Sequence, residues 1–149
     1  MLIDGDFTMW ESIAINRYLA EKYGPHLIGE GVEARALVDM WSSWAMIDLQ
    51  VPVIALFIQL VFVPEERRSE EKMTAAREKT LPLMALLDAH LADRQNMVGP
   101  TFTLADLNVA SVVTLLPRLG FDLTTVPNLT AWLERTTARP AHTRVAAMD

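Results

Sequence analysis

Strand-forming patterns occur only at the start of this 149-residue sequence. Leu2-Ile3 and Phe7-Thr8-Met9-Trp10 flank Asp4-Gly5-Asp6, and an Asp-Gly pair between β-prone residues predicts a tight hairpin. The apolar residues that follow recur every three or four positions, which predicts a helix that ends at Gly24-Pro25. Because a two-stranded hairpin is only marginally stable in water, this opening must pack against something larger.

The remainder of the sequence predicts helices alone. A long helix from about Val32 to Phe62 contains Pro52, which should kink it. Pro64-Glu65-Glu66 is typical of the next helix start, with an early proline and carboxylates near the positive end of the helix dipole. Further helices are predicted from Thr103 to about Leu116, from about Asn128 to Arg135, and near Pro140. The predicted fold class is therefore mainly α, an all-helical part preceded by a β-hairpin plus one helix.

Composition narrows the classes of function. The net charge of −6 argues against a nucleic-acid or anionic-membrane partner, because both surfaces repel an acidic chain. The sequence contains no cysteine, which excludes disulfides, thiolate metal sites and a cysteine nucleophile. The N-terminus does not resemble a signal peptide, and the longest apolar run, residues 51–63, is shorter than the roughly 20 residues of a membrane span. We expect a soluble, cytoplasmic protein that uses neither a metal nor a bound cofactor.

Glu11 and Ser12 precede the first predicted helix and form a candidate binding site. A serine at a helix start leaves a hydroxyl and free backbone N–H groups that can hold a carboxylate, and Glu11 could take an ammonium group. Together they could grip the zwitterionic end of an amino acid. The spacing alone favours ordinary helix capping.

The long helix carries two further patterns. Trp41 and Trp44 stand three residues apart and are expected in the core. Gln50, Ile54 and Ile58 form an i, i+4, i+8 stripe that could line an apolar pocket beside Pro52, or serve as a core or subunit contact. The three histidines are far apart and show no metal-ligand spacing.

Thr103-Leu104-Ala105-Asp106 fits the capping-box pattern, in which the first and fourth side chains bond to each other's backbone N–H groups. Such a box stabilises a helix start and carries no chemistry. No nucleophile, general base or phosphate-binding glycine loop is evident elsewhere in the sequence.

Three segments in order resemble the cytosolic glutathione transferases. The long helix, with Trp41 near its start, resembles bacterial members and the plant phi class most of all. The segment Asp4–Ile15 with Tyr18-Leu19 is similar to the family's glutathione-binding stretch. Met97-Val98-Gly99 with Phe102–Asp106 resembles the capping motif of its helical domain. The C-terminal segments resemble the family's C-terminal signature: Phe121-Asp122, Pro127–Leu129, Trp132-Leu133 and Ala138–Ala141.

The resemblance implies a thioredoxin-like glutathione-binding part, residues 1–25, and an all-α C-terminal domain, residues 31–149. It implies that Ser12 binds the γ-glutamyl carboxylate of glutathione and that Glu11 meets the γ-glutamyl amino group. Thr103 and Asp106 match the family's capping box, and Gln50, Ile54 and Ile58 fall where relatives line the apolar substrate pocket. Glutathione would then be a co-substrate, attacking an apolar electrophile through its thiolate.

The sequence departs from the family pattern at its start. Family members begin with a β-α-β-α unit that carries the residue stabilising the glutathione thiolate, and no residue of this chain matches it. We therefore expect weak or absent conjugation, with a non-catalytic helical ligand-binding or protein-interaction module as the alternative. Members of the family are usually homodimers, and an unpaired strand edge beside an apolar surface also favours association.

Overall fold

The structure is a computed structural model that describes residues 1–148, so Asp149, the last residue of the predicted helical domain, lies outside it. Within these residues two strands are followed by seven α-helices, with short 3₁₀ turns between several of them. The strands are β1 (Leu2–Asp4) and β2 (Phe7–Met9). The helices are α1 (Ser12–Tyr23), α2 (Gly31–Trp44), α3 (Gln50–Phe57), α4 (Glu70–His90), α5 (Leu104–Val113), α6 (Pro127–Thr137) and α7 (Pro140–Ala146). The predicted mainly α fold class is confirmed.

The predicted hairpin is also confirmed. β1 and β2 pair antiparallel, with Asp4 opposite Phe7, and Gly5 supplies the positive φ of 63° that the turn requires. Side chains of α1 hold the hairpin, since the Tyr18 hydroxyl donates to Asp4 Oδ2 over 2.8 Å and Lys22 forms an ion pair with the same carboxylate. The bond from Lys22, then that from Tyr18, lowers the pKa of Asp4. The carboxylate therefore stays ionised, and its bonds to α1 persist, to a lower pH than for an ordinary aspartate.

One continuous helix runs from Gly31 to Phe62, but it is not α-helical throughout. Residues Ala45–Leu49 and Ile58–Phe62 form π-helical turns on either side of α3. The first π turn ends three residues before Pro52, which has no N–H and crowds the carbonyl four residues earlier. The sequence predicted a kink at Pro52, and the structure places a widened turn directly before it.

The same helix is long and apolar enough to cross a membrane by length and composition alone. About 28% of its most apolar stretch is buried within the structure. Val53 and Leu56 of α3 belong to the core, with α4 packed alongside. One such helix is weak evidence for a membrane span, because the core helix of a soluble protein passes the same test of length and composition.

The helix start predicted at Pro64-Glu65-Glu66 is wrong. Residues Glu65–Arg67 form a separate 3₁₀ turn, and α4 begins at Glu70. Ser69 is the better N-cap, because its hydroxyl accepts the N–H of Lys72 while its own N–H donates to Gln59 Oε1. The 3₁₀ turn thereby lies between the long helix and α4, which pack against each other.

A second cap lies at the start of α6 and comes from a different helix. The carboxylate of Asp88, in α4, accepts the backbone N–H groups of Asn128 and Leu129 at 2.8 and 3.0 Å. It also accepts Asn128 Nδ2 at 3.1 Å. These bonds fix α6 against α4 and satisfy N–H groups that have no partner within their own helix.

Candidate functional site

The N-terminal end of α1 has the features of an anion site. Ser12 is the first residue of the helix, and the first helical bond is donated by Ile15 to the carbonyl of Glu11. Within residues 1–148 no side chain caps this end, and no acidic residue lies in its first turn. The Ser12 hydroxyl is exposed and makes no bond within the same residues. Free N–H groups and a free hydroxyl therefore face solvent together, beside the positive end of the helix dipole.

Glu11 has a strained backbone. Its φ of 72° and ψ of 113° lie outside the regions that a residue with a Cβ normally adopts. Among the described residues it alone has a positive φ without being glycine. Strain of this kind costs about 1–3 kcal/mol and concentrates at ligand-binding positions. The structure therefore marks Glu11 as a strained position directly before α1.

The strain at Glu11 gives a stability prediction. Glu11→Gly should have a free energy of unfolding about 1 kcal/mol higher than Glu11→Ala, because both variants lose the carboxylate but only glycine tolerates the positive φ. Chemical denaturation of the two variants measures the difference. Equal stabilities, or a more stable alanine variant, would show that the backbone of Glu11 is not strained.

Ser12 also lines a cleft between α1, the long helix and α5. The cleft has a volume of about 370 Å³, and its lining is mainly apolar with a few hydroxyl and amide groups. The lining residues are Ser12, Ile13, Asn16, Met46, Gln50, Ile54, Leu107, Asn108, Ser111, Val112 and Leu115. No charged side chain and no tyrosine is among them. A mainly apolar cleft beside an anion site suits a ligand with one charged end and one apolar end.

The structure brings Ser12, Gln50 and Ile54 together in this cleft, but it places Ile58 elsewhere. Ile58 lines a groove between α3 and α4, together with Val51. Residues four apart on an α-helix are rotated by about 40°, so eight positions move a side chain by about 80°. Glu11, the residue before Ser12, does not line the cleft.

The wall supplied by α5 was not anticipated from the sequence. Leu107, Asn108 and Ser111 line the cleft and recur at helical spacing, which is the signal that could have found them. The capping-box pattern at the start of α5 predicts only a helix start. That box is present: Asp106 Oδ2 accepts the N–H of Thr103 at 2.9 Å, and both side chains are buried.

The other sequence candidates lie away from the cleft. Trp41 is buried, and its ring contacts those of Trp44 and His90 at centroid distances of 5.3 and 4.5 Å. Within residues 1–148 no three histidine, aspartate or glutamate side chains cluster closely enough to hold a metal ion. The chemistry available at the cleft is therefore that of hydroxyls, amides and the helix end.

Comparison with known proteins gives one family. Residues 51–140 match the family model "Glutathione S-transferase, C-terminal domain". Glutathione S-transferase GstB of Escherichia coli (strain K12) is 34% identical over 143 residues, which cover 95% of this chain and 69% of that protein. Glutathione S-transferase 4 of Zea mays is 32% identical over 151 residues, covering 98% and 68%.

Solved structures agree with these sequences. The theta class glutathione S-transferase of the citrus canker pathogen Xanthomonas axonopodis pv. citri superposes with a TM-score of 0.88 at 33% identity. It is known in an apo form and with glutathione bound, and the superposition with the bound form covers 95% of this chain and 75% of that one.

Proposed function

Because this chain belongs to the glutathione S-transferase family, we propose that the N-terminal end of α1 binds the γ-glutamyl end of glutathione. The family uses glutathione as its co-substrate. The free end of α1 supports the proposal most directly, since it offers a hydroxyl and unpaired N–H groups without a capping side chain. A related protein with glutathione bound shares this fold.

Each proposed contact follows from the charge of the γ-glutamyl group. Its carboxylate would accept the Ser12 hydroxyl and the first N–H groups of α1, in the favourable field of the helix dipole. Its ammonium group would lie beside the carboxylate of Glu11, whose strained backbone precedes the helix. The two residues would thus recognise both charges of one amino-acid end.

The cleft would accommodate the apolar electrophile that glutathione attacks. Gln50 and Ile54 lie in its wall with Ser12, so a ligand held at the helix end can extend across apolar surface. Ile58 lies in a separate groove and is left out of this proposal. The transfer itself would join the glutathione sulfur to the electrophile.

We infer that this 149-residue chain conjugates weakly or not at all. A thiol has a pKa of about 8.5 and needs a nearby cation, a metal or a positioned donor to ionise at neutral pH. None of the residues that line the cleft is cationic or a tyrosine. Of the two serine hydroxyls in the lining, that of Ser111 already donates to the carbonyl of Asn108, and that of Ser12 is assigned here to the γ-glutamyl carboxylate. Binding of glutathione without efficient thiol activation is therefore the expected behaviour.

The proposed organisation has two parts. Residues 1–25 form the glutathione-binding portion of a thioredoxin-like domain, and residues 31–149 form the all-α domain that supplies most of the cleft. The acidic balance supports a protein without nucleic-acid or anionic-membrane partners, and the sequence without cysteine fits a reducing cytoplasm.

Ser12→Ala tests the proposed site. The substitution should weaken glutathione binding by about tenfold or more, because a hydrogen bond to a charged group contributes about 1.5–3 kcal/mol. Calorimetric titration of the purified chain with millimolar reduced glutathione measures the dissociation constant. Ser43→Ala removes an exposed serine of α2 that does not line the cleft, and it should bind like the parent chain.

Two results would contradict this function. The absence of saturable heat in the parent chain, or equal affinities of Ser12→Ala and Ser43→Ala for glutathione, would show that the N-terminal end of α1 is not a glutathione site. Recovery of a stable complex with another protein, without turnover of a chromogenic electrophile, would then favour the interaction module.

We also propose that the chain forms a homodimer. Exposed apolar side chains of the long helix and of the hairpin, among them Ile47, Phe62 and Ile3, support association because monomers rarely expose such extended apolar surface. Light scattering at tens of micromolar should give twice the mass of one chain. A monomeric mass at that concentration would contradict the dimer.

A further inference from the structure

A relay of polar side chains connects α1 to the helical core behind the cleft. Asn16 Nδ2, in α1, donates to Asn108 Oδ1, in α5, over 2.9 Å. Asn108 Nδ2 donates to Ser42 Oγ, in α2, over 2.9 Å, and the Ser42 hydroxyl donates to the carbonyl of Val38 over 2.7 Å. Asn108 is 2% exposed and Ser42 is 3% exposed. The relay therefore crosses three helices with little access to water.

The direction of every bond in the relay is fixed at its inner end. A carbonyl can only accept, so the single Ser42 proton goes to Val38 and the Ser42 oxygen must accept from Asn108. The amide oxygen of Asn108 is then left facing α1, where only a donor satisfies it. Asn16 meets this requirement with its NH₂ group, and it lies one turn beyond Ser12 on the same face of α1.

The other polar link from α1 to the long helix is exposed and weaker. Arg17 Nη1 forms an ion pair with Asp39 Oδ1 at 2.6 Å, and the Asp39 side chain is 60% exposed. Exposed pairs of this kind contribute little to holding two helices together. By contrast, an unpaired amide at Asn108 would be buried, so the relay imposes one position on α1.

We infer that Asn108 is a positioning residue for the glutathione site, acting through Asn16 to hold the N-terminal end of α1 at the cleft. The inference rests on the proposed function. Asn16 and Asn108 themselves line the cleft with Ser12, so a shift of α1 moves the anion site relative to the opposite wall. Affinity for glutathione therefore depends on an amide that belongs to the helical part.

Asn108→Ala breaks the relay at its centre and should raise the dissociation constant for glutathione about tenfold. Ser42→Ala keeps the Asn16–Asn108 bond but no longer fixes its direction, and it should have a smaller effect. Thr80→Ala is the matched control, because Thr80 is also buried and its hydroxyl donates to the Ala76 carbonyl at 2.8 Å, but α4 does not contribute to the cleft. Its stability should fall while its affinity for glutathione stays unchanged.

Calorimetry of these chains gives the affinities, and hydrogen exchange gives the order of α1. Faster exchange of α1 amides in Asn108→Ala, with α4 amides unchanged, is the expected signature of lost positioning. If Asn108→Ala does not fold, the variant Asn16→Ala is used in its place in both measurements. It removes the same hydrogen bond by truncating Asn16, which is only half-buried.

The outcomes separate this inference from the proposed function. If the parent chain does not bind glutathione, the proposed function fails and the positioning role fails with it. If the parent chain binds but the variants at Asn108 and Asn16 bind equally well, the glutathione site stands and the inference is overturned. A loss of affinity in Thr80→Ala equal to that in Asn108→Ala would also overturn it, since general destabilisation would explain both.

Discussion

Replacing Asp106 with alanine should lower the free energy of unfolding by about 3–5 kcal/mol, because it leaves several buried donors without an acceptor. Asp106 is fully buried, and its carboxylate accepts four hydrogen bonds. Oδ1 accepts the N–H of Met97 at 2.8 Å and Nε1–H of Trp132 at 2.9 Å. Oδ2 accepts the N–H and the hydroxyl of Thr103 at 2.9 and 3.2 Å.

The size of the effect follows from what alanine leaves behind. Two backbone N–H groups and the indole N–H of Trp132 would lose their acceptor in a part of the core that water does not reach. The same carboxylate connects the loop before α5 with α6, so its loss separates two elements as well as uncapping one. Most single domains have only about 5–15 kcal/mol of stability, so the variant should be partly unfolded at physiological temperature.

Denaturant titration followed by circular dichroism measures this prediction, with Asp93→Ala as the control. Asp93 is exposed and pairs only with its neighbour Arg94, so its removal should change stability by less than about 0.5 kcal/mol. A loss below about 1 kcal/mol in Asp106→Ala would show that the carboxylate is not the acceptor on which these donors depend.

Asp88→Ala should lower the free energy of unfolding by about 2 kcal/mol. The substitution removes the acceptor of two backbone N–H groups at the start of α6 and of the Asn128 side chain. It also removes a negative charge from the positive end of the α6 dipole. Because Asp88 belongs to α4, the lost bonds join two helices rather than two turns of one helix.

Asp88→Asn is the informative companion to this variant. Its amide oxygen can still accept the backbone N–H groups, so it should recover about half of the lost stability while losing the charge. Thermal unfolding of the two variants measures both values. Equal destabilisation by alanine and asparagine would assign the whole effect to charge and would contradict the capping role.

The features that the sequence predicted well are local in the chain. The Asp-Gly hairpin and the Thr103–Asp106 box each involve residues within four positions of one another, so their geometry follows from residue type and spacing. The order of helices follows from apolar periodicity in the same way. Asp106 also accepts a hydrogen bond from Trp132, and local spacing cannot predict this contact because Trp132 lies 26 residues away.

The features that the sequence missed depend on packing. No residue pattern marks the starts of the two π-helical turns in the long helix. Gln50 and Ile54 meet Ser12 at the cleft, whereas the rotation of about 80° over eight α-helical positions takes Ile58 into another groove. The predicted start of α4 at Pro64 is wrong because a proline permits a 3₁₀ turn as readily as the first turn of an α-helix.

The relay from Asn16 to Ser42 could not be predicted, since it joins residues 92 and 66 positions apart. From sequence alone, an asparagine within a helix indicates only a residue of low helix propensity, and its hydrogen-bond partner is not evident. Buried polar side chains are hydrogen-bonded in folded proteins, but the sequence does not say to what. The structure supplies that partner, and with it the link between α1 and the rest of the fold.

The most direct test of the account follows the backbone N–H signals of Ser12 and Ile13 by NMR during titration with reduced glutathione. Cysteinylglycine, which lacks the γ-glutamyl group, serves as the matched ligand. We expect saturable shifts that are largest at these two amides with glutathione and absent with the dipeptide. Shifts of equal size with both ligands, or the largest shifts outside the N-terminal end of α1, would contradict the proposed glutathione site.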